Sequence, residues 1–321
     1  MKKKSNNAAI LSAICIVAII VAGSLFFITQ NKFNLSSQKN DIPNNVNYNH
    51  DLAISSAKVS SDCYNDDDTY KKTLKDKGYL GVNKFNSDDV AAIIGIKKSN
   101  GNHFSLAIAF RGTDNIVNWE RDYDEAMVNW KDATGKDVVE RGVHEGMATA
   151  FNTFLEIKNE IEDYYKKLGF KIKLFDKSGK INYWVTGHSL GGGLAQLFTL
   201  KLAENGVPLK NIESYPIAPA LVGDKNFKNY AKKLGVNSRM HIILNAFDAV
   251  GKVGGTLLYL TDEIHFYKWG HDLNAMLVAT IPLGGIDPEY GKKLSDTVLE
   301  NHKADNYVKA LTEGEEVTDI H

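Results

Sequence analysis

Gly187-His188-Ser189-Leu190-Gly191 sets a serine between glycines in the pattern G-x-S-x-G. A serine hydroxyl is a weak nucleophile near neutral pH. It needs a base to take its proton and an acid to orient that base. The stretch before it, Ile181 to Thr186, reads as a strand, and Leu190 to Leu202 reads as a buried helix ending near Gly206. A turn that tight strains the serine backbone, and side chains in place of Gly187 or Gly191 would collide with their neighbours. The strain lifts the Ser189 Oγ clear of the sheet at the positive end of the following helix. The chemistry such a group offers is acyl transfer through a covalent intermediate.

In this architecture the partners follow in the order serine, acid, histidine. Asp248 lies just past an apolar run from Met240 to Leu244, on a loop at the expected end of the sheet. Asp224 competes with it but stands where a helix N-cap is expected, and no clear strand leads into Asp262. Among the histidines beyond Asp248, His265 and His271 lie in an aromatic segment that reads as core, and His321 is the last residue. His302 precedes a terminal helix, Ala304 to Leu311, and is the expected base. His188 and His144 read as packing support. An oxyanion requires N–H donors, one after the nucleophile and one from the loop after an earlier strand. Leu190 supplies the first, and the strand ending in Phe110-Arg111-Gly112 delivers Thr113 as the second. Arg111 reads as a brace for nearby carbonyls or acids.

The elements that must hold these residues follow from periodicity. Val90 to Ile96 and Phe104 to Phe110 are apolar runs joined through Asn100-Gly101, a hairpin signal. Met147, Phe151, Phe154, Leu155, Ile161, Tyr165 and Leu168 recur at helical spacing, predicting a helix over Val143 to Leu168 that stops at Gly169. Lys171 to Phe175 is a further candidate strand, Ile212 to Ile217 another, and Asn226 to Leu234 a helix. Ile116, Trp119, Tyr123, Met127 and Trp130 also recur at near-helical spacing, which predicts an amphipathic lid beside Thr113. Strands alternating with helices imply a mostly parallel, doubly wound sheet with helices on both faces, the α/β-hydrolase fold. Ligands in such sheets sit at the carboxyl ends of the strands.

The chain has 321 residues and a formal net charge of −1. Acids and bases are interspersed with no basic patch, which argues against nucleic acid as a partner. Lys2, Lys3 and Lys4 precede an uncharged run from Ala8 to Ile28, close to the roughly 20 residues that span a bilayer as a helix. This reads as an uncleaved anchor with the remainder outside the cytoplasm, with Ala22-Gly23-Ser24 as the alternative, a signal cleavage site leading to secretion. Residues 1–30 are therefore expected to be the anchor or signal, 31–50 a flexible linker, and 51–321 one catalytic domain. Cys63 is the only cysteine beyond the apolar run, so no disulfide forms within that domain.

Several segments resemble the class 3 lipases, the fungal-type triacylglycerol lipases and their bacterial and plant relatives. Ala109 to Thr113 with Asn118-Trp119 resembles the oxyanion strand and start of the lid. Val143 to Met147 resembles a helix start, and Val185 to Gly192 the nucleophile block. Asn245 to Val250 resembles the acid-bearing loop, and Asn301-His302 followed by Tyr307 the histidine segment. Ala218 to Asp224 departs from the family pattern. The resemblance spans roughly Asp51 to the C-terminus and implies ester hydrolysis with no metal or organic cofactor. On that reading Ser189 attacks, His302 carries the proton, Asp248 orients His302, and Thr113 and Leu190 hold the oxyanion. A lipid ester is the expected substrate. A phospholipase A1 or soluble-substrate esterase would use the same triad. A peptidase on this fold would differ only in its pocket, and a catalytically silent binding module is the reading outside enzymes.

Overall fold

The computed structural model describes residues 47–88, 90–99, 102–112, 126–248, 257–272 and 288–317. They form two compact units, one of residues 47–243 and 257–264, the other of residues 244–248, 265–272 and 288–317.

The larger unit opens with α1 (His50–Asp62), whose N-cap Asn49 accepts the Leu52 N–H at 3.0 Å. The short α2 (Lys72–Asp76) leads into β1 (Leu80–Ser87), β2 (Val90–Lys98) and β3 (Phe104–Phe110). β4 (Met127–Lys131) and β5 (Asp137–His144) make a separate antiparallel pair. Then come α3 (Glu145–Glu156), α4 (Lys158–Lys167), β6 (Ile181–His188), α5 (Leu190–Glu204), β7 (Ile212–Ile217), α6 (Lys225–Lys233) and the first half of β8 (Ile242–Asn245).

The sheet of this unit runs β1-β2-β3-β6-β7-β8. β1, β2 and β3 are antiparallel neighbours, and β3, β6, β7 and β8 are parallel. Parallel strands covered on both faces need nearly continuous apolar runs, which β3 and β6 supply. Alternate residues then divide between two layers. Ala92, Ile94, Ile108 and Val185 pack with Phe151, Phe154, Leu194 and Phe198 of α3 and α5. Ile93, Ala107, Ala109 and Trp184 pack with Val59 of α1 and with Cys63. Each large side chain buried in this way stabilises the fold by about 1.5–3 kcal/mol. The outcome is an α/β-hydrolase architecture. Its parallel register, Phe110 opposite Gly187, brings the ends of β3 and β6 level, which sets up the site.

Some local expectations differ from the structure. The helix expected over 143–168 is two helices, since Val143 and His144 finish β5 and α3 ends at Ile157 before α4 begins. Both helices turn apolar faces to the same core, so their periodicity runs on across the break. Residues 171–175 form no strand. The Leu174 N–H is taken at 2.9 Å by the Glu162 carboxylate instead of a neighbouring strand. Met127 and Trp130 belong to β4 and not to a helix. Trp130 is buried against Phe151 and Phe227 and donates its indole N–H to Glu204 at 2.6 Å. The rest of the expected lid, with Thr113, lies outside the described residues, as do the apolar run Ala8 to Ile28 and most of the expected linker. Among the described residues no helix is long and apolar enough to cross a membrane.

The smaller unit contains the end of β8, the turn to Asp248, most of β9 (Ile264–Lys268), α7 (Pro288–His302), α8 (Ala304–Glu313) and β10 (Glu315–Val317). β10 pairs antiparallel with β9. The Ala246 N–H donates to the Tyr267 carbonyl at 2.8 Å, tying the acid loop to β9. Lys303, extended at ψ 137°, separates α7 from α8.

Candidate active site

In the larger unit β6 ends at His188 and α5 begins at Leu190, leaving Ser189 alone at the turn with φ 58° and ψ −126°. This is the left-handed region that side chains rarely adopt, so the backbone here is strained. The flanking glycines are required by close approach. A Cβ at Gly187 would lie 2.3 Å from the Gly191 carbonyl oxygen, and one at Gly191 would lie 2.2 Å from that of Phe110. Leu190 opens the 15-residue α5, where the first N–H groups have no partner within the helix and are available to an anion.

β3 delivers Arg111 and Gly112 against this elbow. A Cβ at Gly112 would meet the Tyr64 hydroxyl at 2.3 Å, the His188 carbonyl oxygen at 2.6 Å and the Ser189 Cβ at 3.1 Å. Only glycine lets the strand end pack that closely. The Arg111 N–H donates to the Ala91 carbonyl at 2.9 Å, while its buried Nε has no hydrogen-bond partner among the described residues. His188 pairs through Nδ1 with the Tyr64 hydroxyl at 2.7 Å. His144 caps α3, its Nδ1 accepting the Met147 N–H at 3.4 Å.

The smaller unit brings Asp248 and His302 together. His302 is the last residue of α7, and its Nδ1 lies 2.7 Å from Asp248 Oδ2, with both side chains buried. Such a contact fixes the tautomer and orientation of an imidazole and stabilises it once protonated. Tyr307 on α8 donates its hydroxyl to the same Oδ2 at 2.6 Å. The acid loop is held by asparagines. Asn245 Oδ1 accepts the Phe247 N–H at 3.1 Å, and Asn301 Nδ2 donates to the Phe247 carbonyl at 2.9 Å and to the His271 carbonyl at 2.8 Å.

The rival acids and bases have other employment. Asp224 caps α6, accepting the Phe227 N–H at 2.9 Å, and Asp262 pairs with Lys228. His265 lies on β9, 3.6 Å from Glu316, and His271 is bound through its backbone to Asn301. Tyr64, Asn245 and Asn301 have roles that sequence reasoning does not assign. Several of their contacts join segments far apart in the chain, which no local pattern reveals.

Residues 107–257 match the family model for class 3 lipases. This stretch, just under half of the chain, is similar to the class 3 lipases. The chain's relatives include a lipase of Rhizomucor miehei, 30% identical over 137 residues that make up 42% of this chain and 34% of that one. Another is phospholipase A1-II 3 of Oryza sativa subsp. indica, 26% identical over 164 residues, covering 47% of this chain and 37% of the relative. The chain thus spans about a third of the length of the curated relatives it matches. Two solved structures share the fold. Lipase II from Rhizopus niveus superposes with a TM-score of 0.52 at 18% identity, over 70% of this chain and 82% of that one. A triacylglycerol lipase whose catalytic centre is described as a serine protease triad gives 0.50 at 21% identity, over 68% and 79%. The class 3 lipase match includes the end of β3, the elbow and Asp248, whereas His302 lies beyond it.

Proposed function

We propose that this chain hydrolyses carboxylic esters of lipids through an acyl-enzyme. Ser189 attacks the ester carbonyl carbon as His302 takes its proton. The tetrahedral oxyanion rests on the N–H groups of Leu190 and Thr113. Collapse expels the alcohol, which receives the proton from His302. Water, activated by the same imidazole, then attacks the acyl-Ser189 ester and frees the carboxylic acid. Asp248 orients His302 and stabilises its cation. The scheme uses only side chains and backbone of the chain itself.

The observation that carries this reading is the strained Ser189 at the β6–α5 elbow, inside the stretch that matches the class 3 lipase model. A strain that costs of order 1–3 kcal/mol persists where the surrounding structure enforces it, and such strain clusters at functional sites. Acylglycerols are the leading substrates. The phospholipase A1 relative favours a second reading, in which the scissile ester belongs to a phospholipid. The apolar run Ala8 to Ile28 supports attachment to a membrane, with residues 51–321 as the catalytic domain outside the cytoplasm.

A panel of triacylglycerols, diacyl phospholipids and soluble short-chain esters tests the reading. The wild-type chain is expected to hydrolyse at least one lipid class, and Ser189→Ala none of them. Retained hydrolysis by a folded Ser189→Ala protein would overturn it. Preference for the phospholipid arm would move the assignment to the second reading.

A further inference from the structure

Tyr307 is fully buried, yet its hydroxyl sits among polar groups of the smaller unit. It accepts the Asn245 N–H at 3.0 Å and donates to Asp248 Oδ2 at 2.6 Å. The direction follows from the inventory of protons. A backbone amide only donates and an ionised carboxylate only accepts, so the single phenol proton belongs on Asp248. Hydrogen bonds onto a charged acceptor are among the stronger ones in proteins.

The carboxylate oxygen that Tyr307 binds is also the one His302 Nδ1 approaches at 2.7 Å. The phenol and the imidazole therefore share one oxygen, and each weakens the other's hold on its charge. The donor to the phenol is fixed in turn. Asn245 Nδ2 donates to the Trp269 carbonyl at 2.8 Å, and its Oδ1 accepts the Trp269 N–H at 3.3 Å. His302 on α7 and Tyr307 on α8 both reach Asp248, while His271 beside them is held through its backbone to Asn301.

We propose that Tyr307 is a positioning residue for the acid–base pair, holding the Asp248 carboxylate in one orientation and setting how strongly it favours protonated His302. The inference rests on the triad reading above. Tyr307 does not act on substrate. Without its hydroxyl the Asp248 carboxylate loses one of its hydrogen-bond donors and bears more strongly on His302. The acid limb of the kcat/KM profile should therefore move upward. The carboxylate also loses one of its anchors, so kcat should fall.

The test compares steady-state pH profiles of the full chain and two variants. Tyr307→Phe keeps the buried ring and removes the hydroxyl. It is expected to lower kcat about tenfold with KM within about twofold, because an orienting interaction and not a substrate contact is lost. Its acid limb is expected to rise by about half a pH unit, as one donor leaves the shared carboxylate. Tyr307→3-fluorotyrosine, a stronger donor of nearly the same shape, should keep kcat and move the limb downward. Opposite shifts in the two variants support the proposal. An unmoved limb in both overturns it, whatever happens to thermal stability. Should Tyr307→Phe fail to fold, the direction of the fluorotyrosine shift decides alone. Ser189→Ala and His302→Ala, assayed in parallel, separate the two levels. Full activity in either would sink the triad reading, whereas an inactive pair with an unmoved limb would sink only the role of Tyr307.

Discussion

Ser189 holds φ 58° because its neighbours leave no alternative, and those neighbours are glycines because backbone atoms occupy the space where a Cβ would be. Gly187→Ala is a direct probe of that geometry. Its methyl would sit 2.3 Å from the Gly191 carbonyl oxygen, a backbone atom that cannot swing aside. The loss of stability is expected to be large, about 3 kcal/mol or more, as for other overpacked and strained sites, and it should appear as a lower Tm. A Tm within a degree of wild type would show that the turn is looser than described. His302→Ala removes the proposed base. Its kcat is expected to fall by roughly three to four orders of magnitude, the scale seen when one member of a cooperative triad is removed. His265→Ala and His271→Ala should leave turnover within severalfold while altering stability. Loss of activity in one of those with His302→Ala intact would reassign the base. The elbow is legible in the sequence because strand, glycines and helix lie next to one another. Asp248 stands out as a candidate because a carboxylate just past an apolar run is a local feature. Tyr64, Asn245 and Asn301 do not, since several of their partners lie on distant segments.

The elements were readable where one period dominates and obscure where side chains replace regular hydrogen bonding. β2, β3, β6 and α5 follow from apolar runs that two core layers require. The break at Ile157 and the turn over 171–175 do not, because Glu162 on α4 organises the second of them. Its carboxylate takes the Leu174 N–H at 2.9 Å, Lys173 at 2.8 Å and Lys158 at 3.3 Å. Burial opposes the charge on Glu162. The Lys173 ammonium, the Leu174 N–H and Lys158 outweigh it and hold the carboxyl below the ordinary glutamate range. A carboxyl lowered on folding stabilises the native state above its ordinary value, and that stabilisation is lost as pH falls through the lowered one. Glu162→Gln is therefore expected to cost about 1–2 kcal/mol near neutral pH, the worth of a buried charged acceptor to its donors. The difference in urea midpoints should shrink below about pH 4, where the unfolded glutamate is already protonated. A difference independent of pH would mean that packing, not charge, is what Glu162 supplies.

At the scale of the whole molecule, the α/β-hydrolase frame of the larger unit brings the ends of β3 and β6 level. The charge pattern of the first residues leads to a separate expectation. The apolar run behind Lys2, Lys3 and Lys4 should keep the full-length chain in the membrane fraction through salt and alkaline washes, with the catalytic domain cut by protease added from outside. Recovery of free protein beginning near Leu25 would instead mark a cleaved signal. The central claim is that Ser189 is the nucleophile, and active-site labelling tests it most directly. The full-length wild-type chain is treated with a fluorophosphonate and the adduct located by peptide mass spectrometry. One stoichiometric adduct on Ser189 is expected, abolished in Ser189→Ala and formed far more slowly in His302→Ala. Ester hydrolysis that is lost on treatment while Ser189 stays unmodified, with the adduct on another residue, would contradict it.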